Sequence, residues 1–302
     1  MIIAVAVNPR ASFGGRQHTG NAVVAYFRAA GARVVVLRKA NYDRLESAVR
    51  EALEAGCDAL VVVGGDGMVH LGINALAGSG APYGTVPLGI VPSGTGNDMA
   101  RALGLPLNDA VAACELIREA LKSGGRFIDA GRVTGVGTTR WFAGVVSAGF
   151  DAAVNERANG WRWPRGKSRY NLAMLRELAT FRAIDYTVTA DGETWRQGAM
   201  LISVANGQSI GGGMKVTPDA LLDDGFLDLF IVKPLSRAQF LAVFPKVFSG
   251  RHTGHRAVHI RQVRRVELSA ANVVAYADGE RVGPLPLTVE VVPGAIRVLA
   301  AP

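Results

Sequence analysis

Asp58-Ala59-Leu60-Val61-Val62-Val63-Gly64-Gly65-Asp66-Gly67 carries an apolar run straight into a glycine pair and a carboxylate. A β-branched run ending in two glycines is how a parallel strand delivers its chain into a tight turn. There the missing Cβ atoms let backbone N–H groups approach phosphate oxygens. Asp66 then falls at the strand's carboxyl end, where open α/β sheets bind ligands. Glycine and aspartate also fill ordinary αβ turns, so this stretch alone leaves structure and function equally open. About one helix later a second apolar run, residues 86–91, leads into Ser93-Gly94-Thr95-Gly96-Asn97-Asp98 and a helix predicted over 98–103. Two glycine-rich strand-to-helix turns in one sheet make a phosphate-binding crevice. Neither loop continues into Gly-Lys-Ser/Thr or reads G-x-G-x-x-G, which disfavours P-loop kinases and Rossmann dehydrogenases.

Working outward, residues 2–7, 33–37, 60–63 and 88–91 read as strands, separated by amphipathic stretches at 20–30, 45–55 and 67–77. This alternation predicts an α/β domain with a parallel sheet. After a helix over 108–122 the rhythm changes to strands at 127–133, 141–147, 184–190 and 198–205, which predict a second, largely antiparallel β-rich domain from about Gly131. Helices over 170–181 and 236–248 interrupt it, and the closing runs 287–292 and 295–299 either finish it or return to the first domain.

The bulk composition sets the class. With 302 residues, 49% of them hydrophobic, the chain can build proper cores. No apolar stretch approaches the ~20 residues that span a bilayer. Residues 1–7 are too short for a signal sequence, so the expectation is a cytoplasmic protein. Cys57 and Cys114 read as buried free thiols. A formal net charge of +8 favours polyanionic surfaces without separating nucleic acid from anionic membrane. Trp161-Arg162-Trp163-Pro164-Arg165-Gly166-Lys167-Ser168-Arg169-Tyr170 interleaves rings and cations, a composition suited to a lipid headgroup layer and equally to a solvated loop. The basic stretch 251–265 alternates with valine and isoleucine and reads as strand faces. The expected partner is an anionic lipid surface rather than nucleic acid, with homodimerisation left open.

Asn8-Pro9, Gly64 to Leu76, Pro92 to Arg101, Gly211-Gly212-Gly213, Pro218-Asp219-Ala220, Asp223-Asp224-Gly225 and Asp278-Gly279-Glu280 stand in an order and spacing that resembles the diacylglycerol kinase catalytic family. These are bacterial soluble lipid kinases related to sphingosine and ceramide kinases, and the resemblance spans nearly the whole chain. It implies a nucleotide-binding α/β domain over 1–130, NAD kinase/diacylglycerol kinase-like, with 286–302 returning to it, and a sandwich-like β-rich lipid domain over 131–285. The activity implied is transfer of the γ-phosphate of ATP, with Mg²⁺, to a lipid hydroxyl, diacylglycerol being the first-choice acceptor.

Residue by residue, the resemblance places nucleotide contacts at Asn8, Pro9, Gly64, Gly65, Asp66, Gly67, Met68, Val69, His70, Gly94, Thr95, Gly96, Asn97 and Asp98. Asp66 suits nucleotide-bound Mg²⁺, its alternative being a cap on the following helix; Asp98 divides in the same way between metal and cap. Asp278-Gly279-Glu280 is by itself an ordinary hairpin turn. The resemblance makes Glu280 the general base, which requires it to meet Asp66 across the domain boundary. It also implies a structural Mg²⁺ held by the Asp224 carboxylate and the carbonyls of Leu221 and Phe226, linked to the active site through Asp129. Arg16 and Arg101 stand either at the mouth of the crevice or on a solvated surface.

The chain also departs from the family pattern. Met68 replaces the usual threonine, His70 holds the asparagine-or-histidine position, and Leu71 replaces a frequent glutamate. Residues 10–16 make a longer N-terminal loop, and no clear threonine marks a base contact near Lys39. A histidine on a helix such as His70 is more often packed than catalytic. Two rival readings follow: a NAD kinase-like enzyme with a soluble substrate, and a catalytically silent lipid-binding regulator.

Overall fold

The structure, a computed structural model, describes residues 1–8, 16–160, 172–173, 176–177 and 182–301. Pro9, the rest of the loop 10–15, the side chain of Arg16 and the Trp161 to Tyr170 stretch lie outside the described residues, as does most of the helix expected over 170–181. The chain forms two compact units, Met1–Ala130 with Pro293–Pro302, and Gly131–Val292.

The first unit alternates β1 (Ile2–Val7), α1 (Arg16–Ala29), β2 (Arg33–Leu37), α2 (Tyr42–Glu54), β3 (Ala59–Gly64), α3 (Asp66–Ala77), β4 (Leu88–Pro92), α4 (Asp98–Ala102) and α5 (Ala110–Ser123). Its strands run parallel in the order β2-β1-β3-β4. Every residue of β3 and β4 is buried, as continuous apolar runs covered on both faces must be. Register then positions the candidate site. Val7 lies opposite Val63, and Gly64 opposite Pro92, so Asn8 and both glycine turns leave one carboxyl edge side by side.

The second unit packs two sheets around one apolar core that includes Phe142, Tyr186, Ile202, Leu229 and Val289. One sheet is antiparallel in the order β12 (Val258–Val263), β11 (Leu227–Val232), β10 (Leu201–Ala205), β7 (Val145–Gly149), β14 (Val274–Ala277), β15 (Glu280–Pro284). The other includes β13 (Arg265–Ser269), β8 (Ile184–Ala190) and β9 (Glu193–Ala199), with β6 (Thr138–Phe142) pairing β5 (Arg126–Gly135). Two strands carry the chain across the division: β5, and β16 (Leu287–Val298). Leu287 to Glu290 pairs with β13, whereas Val298 pairs in parallel with Leu88 of β4. The two closing runs are therefore one strand that serves both units, and the return begins at Pro293 rather than 286.

Several expected elements divide. The strand expected over 141–147 is two, β6 and β7, and the one over 198–205 becomes β9 and β10. In each case the chain changes sheet, at Ala143-Gly144 and at Met200. The helix expected over 236–248 is a short α7 (Arg237–Val243), closed by a Ser236–Gln239 capping box, followed by a 3₁₀ turn, Phe244–Ser249, because Pro245 lacks an N–H for the α ladder. Arg251–Gly254, expected as strand, is also 3₁₀. One further helix, α6 (Phe150–Gly160), escapes the sequence pattern because its polar residues interrupt the apolar period. Cys57 and Cys114 are free and buried, and burial pushes both thiols up, Cys114 to about 12.

Candidate active site

In the first unit the two glycine turns press together backbone on backbone. Ser93 N donates to the Gly64 carbonyl at 2.8 Å, extending the ladder one step beyond the strands. A Cβ on Gly94 would lie 2.4 Å from Gly65 Cα, and one on Gly65 3.0 Å from Gly94 Cα. Glycine is demanded here by loop-on-loop contact as well as by any ligand. Asn97, left-handed at φ 57, receives the Gly94 N–H on Oδ1 (3.0 Å) and returns its own amide to the Gly94 carbonyl (3.1 Å). Arg101 donates to the Gly96 carbonyl, so this arginine braces the loop.

Asp66 is the first residue of α3 and does not cap that helix; its Oδ1 accepts from Met99 N (3.3 Å) in the first turn of α4, joining one turn to the other. Burial, reinforced by the charge of Asp98, pushes the Asp66 carboxyl above its ordinary value, while the N–H groups of Met99, Asp98 and Asn97 pull the other way. Two carboxylates held among backbone donors suit a hard cation, whose charge would relieve their repulsion. The first amides of α3, from Asp66 and Gly67, have no intrahelical acceptor, and Thr95 is exposed beside them.

The departures at Met68 and Leu71 have packing explanations. Met68 is fully buried, and its side chain occupies the space above Gly64, where a Cβ would meet Met68 Cγ at 2.3 Å. Val69, His70 and Leu71 are also buried, and the Asn74 amide sits 3.2 Å from His70 Nε2 and 2.9 Å from the His70 carbonyl. The first turn of α3 thus serves the core with its side chains and leaves its backbone to the crevice. Asp129, buried, accepts from Gly294 N (2.8 Å) and pins the returning strand.

In the second unit Asp278 and Gly279 form the two-residue turn between β14 and β15, with φ 49 and 86, the sign pattern of a type I′ hairpin. The Asp278 carboxylate accepts from Val145 N (2.9 Å), Gly144 N (3.1 Å) and Ala143 N (3.3 Å). These are the donors left over where the chain changes sheet. Glu280 follows, exposed, on this anchored frame. Beside it Glu156 of α6 accepts from Tyr276 Oη (2.5 Å) and Arg281 Nε (3.3 Å).

At the acidic turn Asp224 Oδ1 accepts from Phe226 N (3.0 Å) and Oδ2 from Gln262 Nε2 (2.9 Å). Burial, then the charges of Asp224 and Asp219, push Asp228 up to about 6. Among the described residues no three acidic, imidazole or thiol side chains converge as a metal cluster. The implied donor set is a different one, a single carboxylate with two backbone carbonyls. Crowded carboxylates beside oxygen donors are compatible with a hard cation.

The sequence reading missed an apolar pocket in this unit, with a cavity of about 70 Å³ that opens to solvent. Phe150, Leu201, Phe230, Phe240, Phe244 and Val247 line it, with Ser203 and His252 as polar exceptions. Its walls come from segments a hundred residues apart, so no local period announces it. Asp228 did carry a signal, a carboxylate within the otherwise apolar Leu227-Asp228-Leu229-Phe230-Ile231-Val232 strand.

Residues 3–130 match the diacylglycerol kinase catalytic domain, and residues 144–300 the YegS C-terminal NAD kinase beta sandwich-like domain. A diacylglycerol kinase of Mycobacterium tuberculosis is 34% identical over 98% of this chain and 94% of its own. One of Bacillus subtilis is 30% identical, covering 79% and 76%. A probable lipid kinase YegS-like of Stenotrophomonas maltophilia is 28% identical, covering 91% and 89%. A solved diacylglycerol kinase from Bacillus anthracis superposes with a TM-score of 0.73 over 100% of this chain and 97% of that one, at 22% identity, which establishes the shared fold. By its match over 98% of its length, the chain belongs to the diacylglycerol kinase family of lipid kinases.

Proposed function

We propose that this lipid kinase uses ATP with Mg²⁺ and that its acceptor is diacylglycerol, giving phosphatidic acid. The observation that carries the reading is the Gly65–Gly94 crossing, which gathers backbone donors, Asp66 and Asp98 at one sheet edge. Phosphates would lie along Gly64–Gly67 and Gly94–Asp98, with Asp66 and Asp98 the residues to hold the nucleotide's Mg²⁺. When bound, that ion would neutralise phosphate charge. Glu280, on its fixed hairpin, takes the proton from the lipid hydroxyl as the hydroxyl oxygen bonds to the γ-phosphorus and the bond to ADP breaks. Asp224 with the Leu221 and Phe226 carbonyls would hold a structural Mg²⁺, and the apolar pocket would receive an acyl chain. No helix among the described residues is long and apolar enough to cross a membrane, and the reading has the protein work at a lipid surface from one side.

Labelled ATP with a panel of lipid acceptors in mixed micelles, and with NAD, tests this. Label in phosphatidic acid is the expected result; label in NAD, or in no acceptor, overturns it. Thermal melts test the structural ion separately: Mg²⁺ should raise the melting temperature of the wild type, and Asp224→Ala should remove the rise. Equal rises in both would exclude the site.

A further inference from the structure

His252 sits in the 3₁₀ turn Arg251–Gly254, 1% exposed, with its ring edge-on to Phe230 at a centroid distance of 5.6 Å. Its Nε2 lies 3.1 Å from the Val216 carbonyl. A carbonyl only accepts, so Nε2 carries the hydrogen and Nδ1 is the bare, lone-pair nitrogen of a neutral imidazole. Burial, which holds the ring's proton affinity below the ordinary value, keeps it in that form. Nδ1 is buried and has no hydrogen-bond partner.

The ring lines the apolar pocket of the second unit, where the one other polar side chain among the described lining residues, Ser203, already shares its hydroxyl with Ser147 at 3.2 Å. A buried acceptor without a donor is a standing free-energy penalty. Water answers it poorly, because a buried water needs two to four polar partners and the described side chains of this lining offer Nδ1 and one engaged hydroxyl. A plain hydrocarbon tail would leave the penalty in place. A ligand carrying one donor among apolar groups would remove it.

We infer that the pocket is built for a lipid whose buried portion carries a hydroxyl, and that this hydroxyl donates to His252 Nδ1. The inference rests on the reading of the pocket as the seat of a lipid chain, and it makes His252 a specificity-determining residue for the chemistry of that chain.

The test uses the full chain, with histidine labelled by ¹⁵N, and three probes of similar size: decanol, its isomer methyl nonyl ether, and undecane. Calorimetry should show decanol binding roughly three- to tenfold more tightly than the ether, the span of one net hydrogen bond. Only decanol should move the His252 Nδ1 resonance. His252→Gln, whose amide can serve Val216 and still offer an oxygen, should keep the preference; His252→Phe should abolish it. Should the phenylalanine variant fail to fold, the wild-type resonance decides alone. Decanol and ether bound equally, with Nδ1 unmoved, would overturn the donor inference while leaving the lipid-chain reading intact. No binding by any of the three would overturn the lipid-chain reading itself.

Discussion

Gly94 in the first unit and Gly279 in the second are both turn glycines, yet a Cβ at 94 would stand 2.4 Å from Gly65 Cα, whereas one at 279 would meet nothing within 4 Å. The first is glycine because two backbones touch, the second because its φ is 86. The carboxylates divide in a parallel way. Asp66 is drawn into its loop crossing and shares it with Asp98, while the hairpin assigns anchoring to Asp278 and leaves Glu280 exposed. One region presents a rigid backbone surface with charge folded into it. The other presents a single free side chain on a rigid mount.

Substitutions can break that contrast, and the largest effect belongs to the free side chain. Glu280→Gln should lower kcat by roughly 10² to 10⁴, the span of a general base, with nucleotide affinity and melting temperature unchanged. Steady-state kinetics beside titration with a non-hydrolysable ATP analogue reads both, and near-normal turnover would reduce Asp278-Gly279-Glu280 to a hairpin alone. Next is the mount. Asp278→Ala leaves three backbone donors unanswered and should cost about 3 kcal/mol in denaturant unfolding, with turnover falling as the hairpin shifts.

The glycines follow. Gly94→Ala must push the touching backbones apart and should cost about 2 kcal/mol and weaken ATP binding, because overpacking has no flexible neighbour to yield. Gly279→Ala should cost about 1 kcal/mol through backbone strain alone and spare ATP binding. Equal effects of the two on nucleotide titration would erase the distinction.

The smallest effect is one of pH. The Asp66 carboxyl is raised in the fold, so between its ordinary value and its folded one the native state holds the extra proton. Stability is then fully present below about pH 4 and declines as pH rises through that window. Asp66→Asn should therefore melt above wild type at neutral pH and level with it in acid, while binding Mg²⁺ and nucleotide less well. A variant less stable than wild type at neutral pH would mean the charge is compensated in the fold.

Much of the first unit could be read in advance because parallel strands advertise themselves as continuous apolar runs. Residues 59–64 and 88–92 are buried throughout, and glycine marks where they stop. The second unit was harder for the opposite reason. Its chain changes sheet at Ala143-Gly144 and at Met200 without any turn-forming cluster, since Asp278, distant in sequence, satisfies the first break and Val232 O receives the Met200 N–H at the second. At the candidate site the sequence placed Asp66 and Glu280 on their turns, but not the Asp66–Met99 bond, the clamp of Asn97 on Gly94, or the packing of Met68 over Gly64. Each of those depends on register between elements, which local pattern does not encode.

The strand that closes the first unit is made only after the second unit. Residues 293–298 follow the whole of the second unit in the chain, and until they emerge β4 has an open edge at Leu88, the residue that later receives Leu299 N and pairs with Val298. At ~5–20 residues per second the ribosome takes roughly 8 to 30 s to cross the second unit. For that interval the first unit is a sheet with an unprotected strand, and the β-rich half completes its own core only as the interval closes, with Leu285, Leu287 and Val289. Synthesis therefore reverses the usual order, and the half made first waits, exposed to edge-to-edge pairing or to a chaperone, for the half made second.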